Sequence, residues 1–157
     1  MTTTDEHVEL VAALVRLLET RVLDPLEILL ASDELLAPIK DRLRIEAEVW
    51  AAQLLGRDQR QAALTAARLI AVLFPGDGPF DPPEQWWRTP LGRAVARGAG
   101  HPSATAVSYS TAGAMLGITR QGVHDLVKRG KLDKHPEGGV TTSSIHTRLN
   151  RPKENAP

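Results

Sequence analysis

Arg120 and Gln121 stand side by side, with His124 three residues after Gln121 and Lys128 four further on. On an α-helix, steps of three and four keep side chains on one face. Arginine can donate two hydrogen bonds to guanine O6 and N7, and glutamine can pair with adenine N6 and N7. These residue types read base edges when a helix presents them to a major groove. Lys128, Arg129, Lys131 and Lys134 follow at the far end of the segment and suit phosphate contacts, as does the hydroxyl of Thr119. The sequence therefore assigns Arg120, Gln121 and His124 to candidate base reading, and Thr119, Lys128, Arg129, Lys131 and Lys134 to candidate phosphate contacts.

The flanking residues predict the elements that would hold this face. Ser108 suits the cap of a short helix burying Ala112, Met115 and Leu116, and Gly117 permits the turn that ends it. Ile118 fills the space between that helix and the next. Thr119 caps a second helix over 120–129, with Val123, Leu126 and Val127 facing inward. A short helix, a glycine turn and a capped helix with a polar outer face make a helix-turn-helix. Beyond it, 133–135 and 140–141 flank the turn Pro136–Gly139, which predicts a small β-hairpin. Thr142 or Ser143 then caps a last helix holding Ile145 and Leu149.

This stretch resembles the winged helix-turn-helix of MerR and excisionase-type DNA-binding proteins. The residues that carry the resemblance are Ala112, Leu116-Gly117-Ile118-Thr119-Arg120, Val123, Leu126-Val127, Arg129-Gly130 and Leu132. It covers Val107 to Leu149 and implies a two-stranded wing after the second helix, and double-stranded DNA as the partner. Two departures stand out: Gly113 replaces a second alanine, at a cost of up to about 1 kcal/mol in helix propensity, and the hairpin lacks the aromatic and arginine residues common on such wings. No long coiled coil follows the motif, so a full MerR-type effector architecture is not expected.

The charge pattern fits that partner. The formal net charge is zero, but residues 1–80 carry eight basic and thirteen acidic side chains, whereas 101–157 carry eight and four. A basic end on an acidic body is the asymmetry expected when one end meets phosphates.

Other chemistries find little footing. The absence of cysteine excludes disulfides, thiolate metal sites and cysteine nucleophiles. His124, His135 and His146 lie 11 residues apart each time, which is no zinc spacing. No phosphate-binding loop or glycine-flanked serine is present, and Gly76-x-Gly78 lies among prolines as a turn. No metal, no cofactor and no enzymatic activity are expected. No apolar run reaches the roughly 20 residues that span a bilayer, and the polar start is unlike a signal peptide. A cytoplasmic, nucleoid-associated protein is the expectation.

The first 74 residues read as helices. Val8, Val11, Val15, Leu18 and Val22, widened by Leu14 and Leu17, predict one over 5–23, with Thr4 as cap. Asp24-Pro25 then stops it and opens a shorter helix over 25–37. Pro38 opens a third, with Ile39, Leu43, Ala47, Trp50 and Leu54 on one face and Gly56 at its end. A fourth runs over 58–74 with Ala62, Ala66, Leu69 and Leu73 inward. Aromatics make up 4% of the chain, so aliphatic residues must fill this core, which favours helices. Four prolines and two glycines in Pro75–Pro83 interrupt all regular structure. Trp86-Trp87 reads as a core plug rather than a base-stacking surface. Thr89-Pro90 starts a helix that Gly98, Gly100 and Pro102 end, and 103–106 is a polar connector.

The expected organisation is mainly α: a helical module at 1–74 for dimerisation or partner binding, a Pro/Gly-rich joint at 75–85, a winged helix-turn-helix domain at 86–150, and a tail at 151–157. The expected function is sequence-specific DNA binding in transcriptional regulation by a homodimer. The alternatives are an interaction adaptor or antitoxin whose DNA-binding end serves autoregulation, and an architectural excisionase-like recombination factor.

Overall fold

The computed structural model describes Thr3–Arg151, so the expected tail lies outside the described residues save for its first residue. The chain is mainly helical, with a two-stranded antiparallel sheet among the described residues. It forms two compact units that divide between Gly78 and Pro79, inside the Pro/Gly-rich stretch. No helix among the described residues is long and apolar enough to cross a membrane.

The first unit begins with α1 (Thr3–Leu18), a π-helical turn (Glu19–Leu23) and α2 (Asp24–Leu30). The expected stop at Asp24-Pro25 does not occur. Pro25 sits in the first turn of α2, and the π turn before it, in which the Asp24 amide bonds five residues back to the Glu19 carbonyl, carries the backbone into it without a break. The chain reverses instead at Ala31, which adopts the left-handed conformation at φ 49°. Ser32 then accepts from the Leu35 amide at 3.3 Å and caps α3 (Asp33–Leu55).

Pro38 therefore lies inside α3, not at its start. It leaves the Glu34 carbonyl without its usual donor. The Ser32 cap and the early acidic pair Asp33-Glu34 favour the helix one turn before it. The break also brings the Glu27 and Asp33 carboxyls together. A hydrogen bond from that pairing, with their mutual repulsion, raises the Glu27 carboxyl above its ordinary value.

The inward faces follow the expected stripes in part: Leu14, Leu18, Ala47 and Leu54 are buried as expected. α1 buries Leu10, Leu14 and Leu18, while Val8 is exposed. α3 buries Leu36, Ala47, Ala51 and Leu54, while Ile39 is exposed and Leu43 and Trp50 are half-buried. The neighbouring helices shift each buried face away from Val8 and Ile39. α3 packs against both α1 and α4 (Gln59–Leu73). α4 follows its expected face, burying Ala62, Ala66, Leu69 and Leu73 behind an Asp58 cap. The Arg21 guanidinium donates to the Leu73 carbonyl at 2.9 Å and stacks over Phe74, tying the π turn to the end of α4.

The second unit contains a 3-10 turn (Glu84–Arg88), α5 (Pro90–Gly98), β1 (Ala106–Val107), α6 (Tyr109–Leu116), α7 (Arg120–Lys128), β2 (Val140–Thr141) and α8 (Thr142–Leu149). Trp87 is the largest fully buried side chain, so it is core and unavailable for stacking on bases. Leu91, Val95, Met115, Val123, Val140 and Ile145 are buried in the same unit. Full burial of each large aliphatic contributes roughly 1.5–3 kcal/mol. Phe80 packs edge-on against Trp86 at 5.0 Å, and its carbonyl accepts from Ser103 Oγ, so it belongs to this unit.

β1 was not expected, and the expected hairpin strand at 133–135 is reduced to one isolated bridge, Lys134 with Val140. β1 pairs with β2 in the register Ala106↔Thr141 and Val107↔Val140, which closes the chain before α6 onto the chain before α8. Thr141, rather than Thr142 or Ser143, caps α8 by accepting from the Ser144 amide at 3.3 Å.

Candidate nucleic-acid interface

Two glycine-terminated turns position α7. Gly117 is left-handed at φ 74°; its amide bonds to Ala114 O, and the Ile118 amide to Gly113 O at 2.9 Å. Gly130, at φ 70°, ends α7 in the same way, with Gly130 N on Val127 O and Lys131 N on Leu126 O. Each pair satisfies carbonyls that a helix end would leave open. Thr119 Oγ1 accepts from the Gly122 amide at 3.0 Å and caps α7. Val123 is buried and Leu126 and Val127 are half-buried, which fixes the rotation of the helix.

That rotation leaves Arg120, Gln121, His124 and Lys128 exposed. The His124 ring stands edge-on to Tyr109 with centroids 4.3 Å apart. Gln121 Nε2 donates to Asp125 Oδ1 at 3.4 Å. Tyr109, Gln121, His124, Asp125, Val127 and Lys128 line one open concavity. Asp125 thus shares a surface with the reading candidates. Its long hydrogen bond with Gln121 is weak enough to exchange for a better partner.

Thr119, Arg129, Lys131 and Lys134 are exposed as well. Lys134 forms an isolated antiparallel bridge with Val140. The turn between them closes through His135 N to Gly139 O at 2.9 Å, and His135 Nδ1 accepts from the Glu137 amide. Gly139 is required there: φ is 80°, and a β-carbon would collide with the Val107 carbonyl. Lys131 and Lys134 therefore sit on a segment anchored to the sheet.

Sequence reasoning missed Tyr109 and Arg88. Tyr109 follows the α6 cap, a position where its aromatic ring carries no periodic signal. Arg88 Nη2 donates to the Ile118 carbonyl at 3.3 Å, a contact across 30 residues that local spacing cannot reveal. The histidines serve separate environments. His124 meets Tyr109, His135 closes its turn, and His146 on α8 lies beside Gly100. His101 Nδ1 accepts from the Ser103 and Ala104 amides, at 3.2 and 2.9 Å, and its ring lies 5.1 Å from Trp87. Burial lowers the pKa of His101 below its ordinary value, against an opposing pull from Asp81.

The fold and site define a mainly helical, two-unit protein with a glycine-framed helix presenting a basic and amide-bearing face. No protein-family model, curated protein or solved structure matches the chain.

Proposed function

We propose that this protein is a sequence-specific double-stranded DNA-binding protein, a transcriptional regulator, and that its second unit acts as a winged helix-turn-helix. One observation carries the reading: α7 is capped by Thr119, ended at Gly130, and turned so that Arg120, Gln121 and His124 are exposed in its first half. Inserted in a major groove, Arg120 reads guanine and Gln121 reads adenine after leaving Asp125. Lys128, Arg129, Lys131, Lys134 and the Thr119 hydroxyl contact phosphates. The turn around Gly139, closed by the Lys134–Val140 bridge, serves as the wing. No step of this function calls for catalysis, a metal or a cofactor.

A single module of this size makes few contacts, so the working form is a homodimer on two half-sites. The first unit supplies the contact. None of the seven residues of α2 is buried, and Ile28 and Leu29 are 81% and 78% exposed. Leu30 and Leu35 extend this apolar elbow. The same elbow supports the second reading, an adaptor or antitoxin that holds a different protein there.

Selection of bound duplexes from a random DNA library, with oligomeric state measured in parallel, tests both. Enrichment of a defined motif by a dimer supports the regulator. Absence of any DNA binding at low salt overturns it, and a fixed-stoichiometry complex with another protein then favours the adaptor.

A further inference from the structure

Between Glu84 and Asp125 the chain carries four arginines and no other acidic side chain. The fold gathers two of them beside the start of α7. Arg88, at the end of the 3-10 turn, donates to the carbonyl of Ile118, the residue just before the Thr119 cap. Arg93, in the first half of α5, donates to the carbonyl of Arg88 at 3.2 Å. Both side chains are exposed, as is Arg120. Arg88 has five N–H donors, and its bond to Ile118 holds the guanidinium in place without neutralising it.

α7 has nine residues, a length of about 13 Å at 1.5 Å per residue. The major groove of B-form DNA is about 12 Å wide. A helix of that length seated across the groove brings its two ends near opposite phosphate backbones. Lys128 closes the last turn of α7, and Arg129, Lys131 and Lys134 follow. Without Arg88 and Arg93, the strand at its N-terminal end would meet mainly the Thr119 hydroxyl and Arg120.

We propose that Arg88 and Arg93 form a second phosphate clamp, which grips the DNA strand opposite to the one held by the Lys128–Lys134 segment. This rests on the DNA-binding reading above. The preceding turn and α5 thereby become part of the interface, and register on the duplex is fixed from both sides of the groove.

The test is the salt dependence of binding by the full-length chain to a random-sequence DNA duplex, read by fluorescence anisotropy. Each lost phosphate contact flattens the slope of log K against log salt by about 0.9. Arg88→Gln with Arg93→Gln should flatten it by roughly 1.8, by that same scaling. Arg88→Lys with Arg93→Lys should restore the slope, because a point charge suffices for a phosphate. Arg93→Gln alone, which leaves the Ile118 contact intact, should flatten it by about one unit. A slope unchanged in both glutamine variants, with Lys131→Ala still reducing it, overturns the clamp and leaves the DNA reading standing. A wild-type protein that shows no salt-dependent binding overturns both.

Discussion

Gly113 and Ile118 meet twice. The Ile118 amide donates to the Gly113 carbonyl at 2.9 Å, and the Ile118 carbonyl lies 2.9 Å from where a β-carbon on residue 113 would sit. The same β-carbon would stand 3.4 Å from the Arg120 nitrogen. The glycine thus lets α6 approach the start of α7 more closely than alanine allows.

Gly113→Ala sets two effects against each other. Alanine gains up to about 1 kcal/mol in helix propensity. Overpacking against backbone typically costs about 1–3 kcal/mol, and the Ile118 carbonyl belongs to a turn with little freedom to yield. A net loss of stability is expected, measured by urea or thermal unfolding. A stabilised variant would show that the α6–α7 turn is free to shift.

Arg120 and Lys131 separate reading from positioning under the proposed function. Arg120→Ala removes a bidentate base contact worth about 1–3 kcal/mol of discrimination, so it should weaken binding to the selected site far more than to random DNA. Lys131→Ala should weaken both alike and flatten the salt slope by about one unit. Both side chains are exposed, so melting should not change. If Arg120→Ala leaves the ratio of specific to random affinity intact, specificity comes from the hairpin or from DNA shape.

Leu29 tests the assembly. Sedimentation should give a dimer at micromolar concentration for the wild type and a monomer for Leu29→Glu, with unchanged circular dichroism because α2 buries no residue. A wild-type protein that stays monomeric both free and on DNA removes the homodimer.

His101 gives stability an acid limit. Burial lowers its folded pKa below the ordinary value of 6.5, and Asp81 opposes part of that shift. Below the unfolded pKa, the unfolded chain binds a proton that the folded chain resists. Stability is therefore fully present above about 6.5 and falls as pH drops toward the folded pKa. Two backbone amides aimed at Nδ1 favour the same neutral form. His101→Asn keeps an acceptor for those amides and removes the titration. It should lose this part of the acid dependence, seen as a flatter plot of Tm against pH.

Much of the candidate interface was legible in the sequence because its determinants are local. The caps Ser108 and Thr119, the turn at Gly117 and the inward residue Val123 act within one or two helical turns, and the structure contains each. The same holds for the inward face of α4. Spacing alone could not place the edge of each buried face: Leu10 and Leu36 are buried where Val8 and Ile39 were expected, because of the helices packed against them. Local proline rules placed helix starts at Pro25 and Pro38, but a π turn and the Ser32 cap moved the break to Ala31.

The pairing of Ala106-Val107 with Val140-Thr141 spans more than thirty residues, and two-residue strands leave no alternation to read. Arg88 illustrates the same limit. In sequence it is a charge after two tryptophans. Only the packing of Trp87 into the core and the return of the chain through α6 bring its guanidinium to Ile118, beside the cap of α7. Caps, turns and residue chemistry are short-range properties carried by neighbouring residues. Which apolar face is covered, and which distant charge stands beside a helix end, depends on contacts that exist only once the chain has closed on itself.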